Sequence, residues 1–170
     1  MMLQQVMTAP GEIEFREVPV PEPEENQVLV KIRKSGVCGS DIHVYHGEHP
    51  FTSYPVTQGH EVSGEIEKLG SGVKGWKAGQ NVTIQPQVVC GKCYPCRHGK
   101  YNLCEELKVM GFQTTGVASD YFAAVSYTHL WRAPRRGDLH YRSPAGGGRL
   151  SGQSAESTGT LQDRYDDGRQ

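Results

Sequence analysis

The chain has 170 residues, with 18 Lys and Arg against 19 Asp and Glu, for a formal net charge of -1. That length holds one ordinary domain, or a domain and a tail, and excludes two large domains. The charge balance leaves no positive excess for a phosphate backbone or an anionic bilayer, so neither nucleic acid nor membrane is expected as a partner.

Residues 1–5 show neither the basic region nor the apolar run of a secretory signal, and no apolar stretch approaches the ~20 residues that span a bilayer, so a cytoplasmic protein is expected. Polar and apolar residues alternate over 12–18 and 27–33, on either side of the Pro-rich connector 19–23, as in half-buried strands. A short helix over 42–46, capped by Ser40 or Asp41, comes next. Further strands are expected over 60–69 and 81–85, the latter after the turn-rich 75–79. Short strands with turns about every ten residues make residues 1–125 a mainly β domain, a small barrel or sandwich.

Composition breaks near Ala124. Residues 1–125 hold all eight lysines and three arginines, whereas 126–170 hold seven arginines, no lysine, and no Val, Ile, Phe, Met or Cys. Such a segment buries too little surface to offset the entropy of ordering it, so a low-order tail is expected over 126–170. The abrupt switch from Lys to Arg also raises a sharper expectation, that the reading frame is lost there.

Chemistry concentrates in two places. Cys90, Cys93, Cys96 and Cys104 form C-x2-C-x2-C-x7-C. In a reducing compartment a thiol cluster binds metal rather than forming a disulfide framework. Four thiolates close the tetrahedron of a structural Zn2+. The rival iron–sulfur run has a three-residue last gap followed by Pro, whereas here the gap is seven and Glu105 follows. Lys92, Arg97, His98 and Lys100 are read as offsetting the anionic cluster or as a solvated face. The fifth cysteine, Cys38, precedes the pair His60-Glu61 by some twenty residues. Thiolate, imidazole and carboxylate are all zinc ligands, and three of them leave an open position, as in a catalytic zinc site. His60 and Glu61 would face opposite ways in a regular strand, so both reach one metal only if the backbone bulges. His46, His49 and His98 are read as surface or loop histidines, and Tyr45, Phe51 and Tyr54 as core or cleft residues outside the site.

The segment Gly36-Val37-Cys38-Gly39-Ser40-Asp41-Ile42-His43, the run Gly59-His60-Glu61-Val62-Ser63-Gly64-Glu65-Ile66, the turn Lys77-Ala78-Gly79-Gln80-Asn81-Val82 and the four-cysteine lobe occur together. Over residues 1 to about 124 the chain thereby resembles the N-terminal catalytic domain of the zinc-dependent medium-chain alcohol dehydrogenases, in particular the sorbitol and threonine dehydrogenase branch. The resemblance implies a GroES-like β-barrel with short helices and a zinc lobe at about 88–106. It implies oxidation of a small alcohol or polyol with hydride passing to NAD or NADP, in an enzyme that is a homo-oligomer when complete. By the same resemblance Cys38, His60 and Glu61 hold a catalytic zinc and Cys90, Cys93, Cys96 and Cys104 a structural one. Ser40 and His43 match a proton relay, and Asp41 a carboxylate that orients His60.

The chain departs from the family in one respect. No strand followed by Gly-x-Gly-x-x-Gly and a helix is found, and the nearest stretch, Gly146-Gly147-Gly148-Arg149-Leu150-Ser151-Gly152, lacks a preceding apolar strand. The expectation is therefore a catalytic domain without its Rossmann partner, inactive by itself. A non-enzymatic zinc-binding interaction module is the competing reading, disfavoured by 14 acids against 11 bases over 1–125. A zinc-free quinone reductase of the same superfamily would use neither set of ligands.

Overall fold

The computed structural model describes residues 1–126 and 129–132. Strands dominate it, in the order β1 (Met2–Ala9), β2 (Glu12–Val18), β3 (Gln27–Ser35), α1 (Gly39–Tyr45), β4 (Val62–Leu69), β5 (Asn81–Ile84), β6 (Gln87–Val88), α2 (Tyr94–Arg97), a 3-10 turn (Tyr101–Leu103), β7 (Lys108–Val109), β8 (Tyr121–Val125) and β9 (Leu130–Arg132). The mainly β class expected from the sequence is the one adopted.

The central sheet is antiparallel and runs β8-β3-β4-β5-β9. Its inward residues, among them Val28, Val30, Val62, Ile66, Val82, Ile84 and Ala124, form the main core with Met110, Val117 and Leu130. Alternation explains the pattern: in β5, Val82 and Ile84 are buried while Asn81 and Thr83 are exposed. Gly64 in β4 lies so close to β3 that a Cβ there would come within 2.5 Å of the Lys31 carbonyl oxygen. The hairpin β1–β2 joins the rest through backbone bridges from Gln4 to Ser119 and from Met7 to Val56. A second core of Met7, Val44, Val56 and Phe112 sits beneath α1.

Several elements differ from the sequence reading, among them β8 in the central sheet, which it did not include. β1 was not anticipated, because Leu3-Gln4-Gln5-Val6-Met7 does not alternate; Gln5 is nonetheless buried, held by long-range hydrogen bonds. Helix α1 starts earlier than expected and is capped by Cys38 instead of Ser40 or Asp41, because the Asp41 carboxylate turns back to accept the Cys38 N–H at 2.9 Å. The sheet also continues past residue 125: Leu130–Arg132 pairs with β5, and Leu130 is buried in the core. The low-order reading of 126–170 is corrected for those three residues, and the rest of that expectation, with the Gly146–Gly152 stretch, lies largely outside the described residues. Among the described residues no helix is long and apolar enough to cross a membrane.

Candidate functional site

The turn after β3 delivers Cys38 to the N-terminus of α1, and α1 is anchored by Val44, which has no exposed surface. His60 and Glu61 precede β4 in an irregular segment, not in the strand expected to begin at His60. Gly59 makes this possible with a φ of +88°, a left-handed conformation that L side chains rarely adopt. The backbone departure that the adjacent pair requires is therefore present. One ligand-type atom each from Cys38, His60 and Glu61 lies within 4.8 Å of the others. Gly36 backs the carboxylate: its N–H donates to the Glu61 carbonyl at 2.7 Å, and a Cβ at 36 would meet Glu61 Oε2 at 2.7 Å.

The environment of these three groups is polarised. Asp41, 5% exposed, places Oδ1 3.5 Å from His60 Nδ1, and neither atom has a hydrogen-bond partner. With Nδ1 turned to the carboxylate, Nε2 is the ring nitrogen left for a ligand, the arrangement in which a second carboxylate orients a metal-binding imidazole. The Asp41 carboxylate, opposed by burial, pushes the His60 pKa up to about 9. The Ser40 hydroxyl, donating to Cys38 Sγ at 3.2 Å, and the Ser40 backbone N–H hold the Cys38 thiol below its ordinary value. The thiol of Cys38, the imidazole of His60 and the carboxylate of Glu61, with the unpartnered Asp41 Oδ1 behind the ring, form a donor set that fits a dication.

Ser40 and His43 do not hydrogen-bond to each other among the described residues. Ser40 is committed to Cys38, and the exposed His43 contacts Glu48 Oε2 at 3.1 Å through Nδ1.

In the lobe, Cys93 caps α2, Cys104 follows the 3-10 turn, and the four sulfurs lie within 4.8 Å of one another. Tetrahedral zinc with ~2.3 Å bonds needs sulfurs about 3.8 Å apart, which this cluster can reach with small movements. All five cysteines are free thiols. The cluster is already organised by its own backbone: Cys90 N–H points at Cys104 Sγ and Cys93 N–H at Cys90 Sγ. Backbone N–H groups of Glu105 and Cys96 lower the Cys93 thiol to about 7, while burial and the neighbouring thiols raise Cys96 to about 12. Of the basic residues near the cluster, Lys92 faces Glu106 at 3.6 Å and His98 contacts the Tyr94 carbonyl.

Sequence reasoning missed Phe112 and its stacking on His49, which lies in a loop as expected. The Phe112 ring lies between two imidazoles, 5.0 Å from His60 and stacked 4.4 Å from His49, whose Nδ1 contacts Thr52 Oγ1 at 2.8 Å. Phe112 also walls a cavity of about 580 Å³ shared with Phe51, Ser53, Thr57, Thr114 and Thr115. Aromatic contacts between distant segments leave no local spacing signal, and only the fold reveals them.

The alcohol dehydrogenase GroES-like domain family matches residues 24–135. The chain belongs to this family. Among relatives of this GroES-like domain, the L-threonine 3-dehydrogenase of Pyrococcus horikoshii is 36% identical over 93% of this chain and 49% of its own length. The sorbitol dehydrogenase of Halalkalibacterium halodurans is 46% identical over 67% of this chain and 33% of its own length. An alcohol dehydrogenase (rspB) of Escherichia coli, solved with NADH, superposes with a TM-score of 0.71 at 36% identity, covering 79% of this chain and 39% of that one. The chain thus spans half or less of the length of these relatives. A GroES-like fold and kinship with zinc-type alcohol and polyol dehydrogenases follow.

Proposed function

We propose that this GroES-like domain is the catalytic part of a zinc-dependent dehydrogenase that oxidises a CH–OH group of a small alcohol or polyol, with NAD or NADP accepting the hydride. The observation that carries the reading is the convergence of Cys38, His60 and Glu61, with Asp41 facing the imidazole from behind. Those three side chains would hold the catalytic zinc, and Cys90, Cys93, Cys96 and Cys104 a structural one. Zinc in the three-donor site would supply a Lewis acid that lowers the pKa of an alcohol hydroxyl toward neutrality.

The chain's own groups do the rest. Asp41 fixes the tautomer and angle of His60. Ser40, beside Cys38, relays the alcohol proton by giving up its own as it accepts it, and the exposed His43 is the group that passes it to solvent. The two do not touch, so the transfer needs a bridging hydroxyl. Ser53, Thr57, Thr114 and Thr115 in the lining of the cavity, which adjoins His60 through Phe112, suit a substrate carrying several hydroxyls.

The test is metal content and ligand response. Purified chain is expected to hold two zinc ions, with Cys38→Ala removing one and Cys104→Ala the other. Cobalt at the three-donor site should change its absorption when a polyol is added. Zinc at the four-cysteine lobe alone would sink the reading and favour a non-enzymatic interaction module.

A further inference from the structure

We propose that the buried Gln5–Gln58 amide pair is a positioning device for the Cys38–His60–Glu61 site. The inference rests on reading that site as a metal centre. Gln5 and Gln58 are 2% and 3% exposed, so two primary amides have been taken out of water in a domain with enough Val, Ile and Met to fill both positions. Their hydrogen bonds explain the placement. The Gln58 side-chain amide donates to the Asp41 backbone carbonyl at 3.0 Å, across from its own irregular segment to the first turn of α1. Gln58 Oε1 accepts from Gln5 Nε2 at 3.2 Å, and Gln5 Oε1 accepts the Gln58 backbone N–H at 3.1 Å.

The geometry makes this more than a fold contact. Gln58 lies two residues before His60, and the residue it grips is the one whose carboxylate accepts the Cys38 N–H and faces His60 Nδ1. One side chain therefore ties the segment carrying the imidazole to the helix turn carrying the thiol and the orienting carboxylate. The opposite side of the 57–59 segment is held by backbone bonds only, from Gly116, Ala118 and Val117 to the carbonyls of Thr57, Gln58 and Gly59. Gln5 in turn locks the Gln58 rotamer. Without the pair, residues 57–61 keep their backbone bonds to Gly116, Val117, Ala118 and Gly36 but lose the hydrogen bond that ties them to α1 itself, and a ligand set is sensitive to errors well below 1 Å.

Gln58→Met keeps length and burial and removes the amide; Gln58→Glu keeps the acceptor toward Gln5 and loses the donor toward Asp41; Gln5→Met leaves the Asp41 bond and removes its support. In the 170-residue chain, zinc affinity at the three-donor site is expected to fall about 10–100-fold in both Gln58 variants and less in Gln5→Met, with affinity at the four-cysteine lobe unchanged as an internal control. The metal-free chain gives a separate readout: the His60 ring Nδ1–H signal in nitrogen–proton correlation spectra at fixed pH should broaden or shift in the Gln58 variants. Unchanged affinity together with an unchanged His60 signal overturns the proposal, as does an equal loss at both metal sites. If Gln58→Met does not fold, Gln5→Met and Gln58→Glu carry the same comparison. A wild-type chain that takes zinc only at the lobe removes the metal reading, while an altered His60 signal still supports the positioning of that ring by Gln58.

Discussion

His60 is where the charge balance of the domain becomes measurable. In the metal-free chain its pKa rises from 6.5 to about 9, first because the Asp41 carboxylate faces it. A group whose folded pKa is raised contributes stability that is fully present below the unfolded value and is lost as pH climbs through the folded value. Metal-free protein is therefore expected to lose stability between about pH 6.5 and 9, and urea unfolding across that range should show it, with His60→Gln giving a flatter profile. A stability that rises over this window in the wild type would contradict the Asp41–His60 pairing. Ser40 shows how one residue's role changes with context: read alone it is a helix cap, but with Cys38 as the cap its hydroxyl turns to the sulfur instead.

At the scale of elements, the lobe and the sheet are stabilised by different means. The lobe consists of a four-residue helix and a three-residue turn, with Tyr94, Tyr101 and Leu103 exposed and only Cys96 and Cys104 buried within it. An isolated segment that short does not hold its shape by helix propensity, and its sulfurs replace a core. Chelation is expected to abolish hydrogen-exchange protection across 88–106 while leaving β3, β4 and β5 protected; lobe protection that survives complete metal removal would show that thiol packing alone suffices. The four-cysteine spacing made this element legible in the sequence, because cysteines with two, two and seven residues between them in a glycine-containing loop have few other uses. β2, β3, β4 and β5 were legible from alternation. β1 and β9 were not: Leu3-Gln4-Gln5-Val6-Met7 does not alternate although it forms a hairpin with β2, and β9 takes its partner from far back in the chain, Ile84 for Leu130.

For the whole molecule, β4 is the element that core and site share. It pairs with β3 and β5, contributes Val62 and Ile66 to the main core, and begins where the His60–Glu61 segment ends. Ile66 is 1% exposed, so Ile66→Ala is expected to cost ~2–5 kcal/mol by equilibrium unfolding, by lost burial and the cavity left behind. Since that strand continues directly from the His60–Glu61 segment, zinc affinity at Cys38–His60–Glu61 should fall with it; a loss under 1 kcal/mol would mean that the core collapses readily around the gap.

The identities and spacings of Cys38, His60, Glu61 and the four lobe cysteines are properties of the sequence alone, because ligand chemistry belongs to the side chains and short spacings fix a loop's reach. Their family was equally visible there. Only the tertiary structure decided that Gly59 bends the chain enough to bring His60 and Glu61 to one point, that Asp41 stands behind His60, and that Gln5, Gln58, His49 and Phe112 surround them. Those relations join residues tens of positions apart, and distances of that kind are set by how strands pair and cores close, which no local pattern encodes.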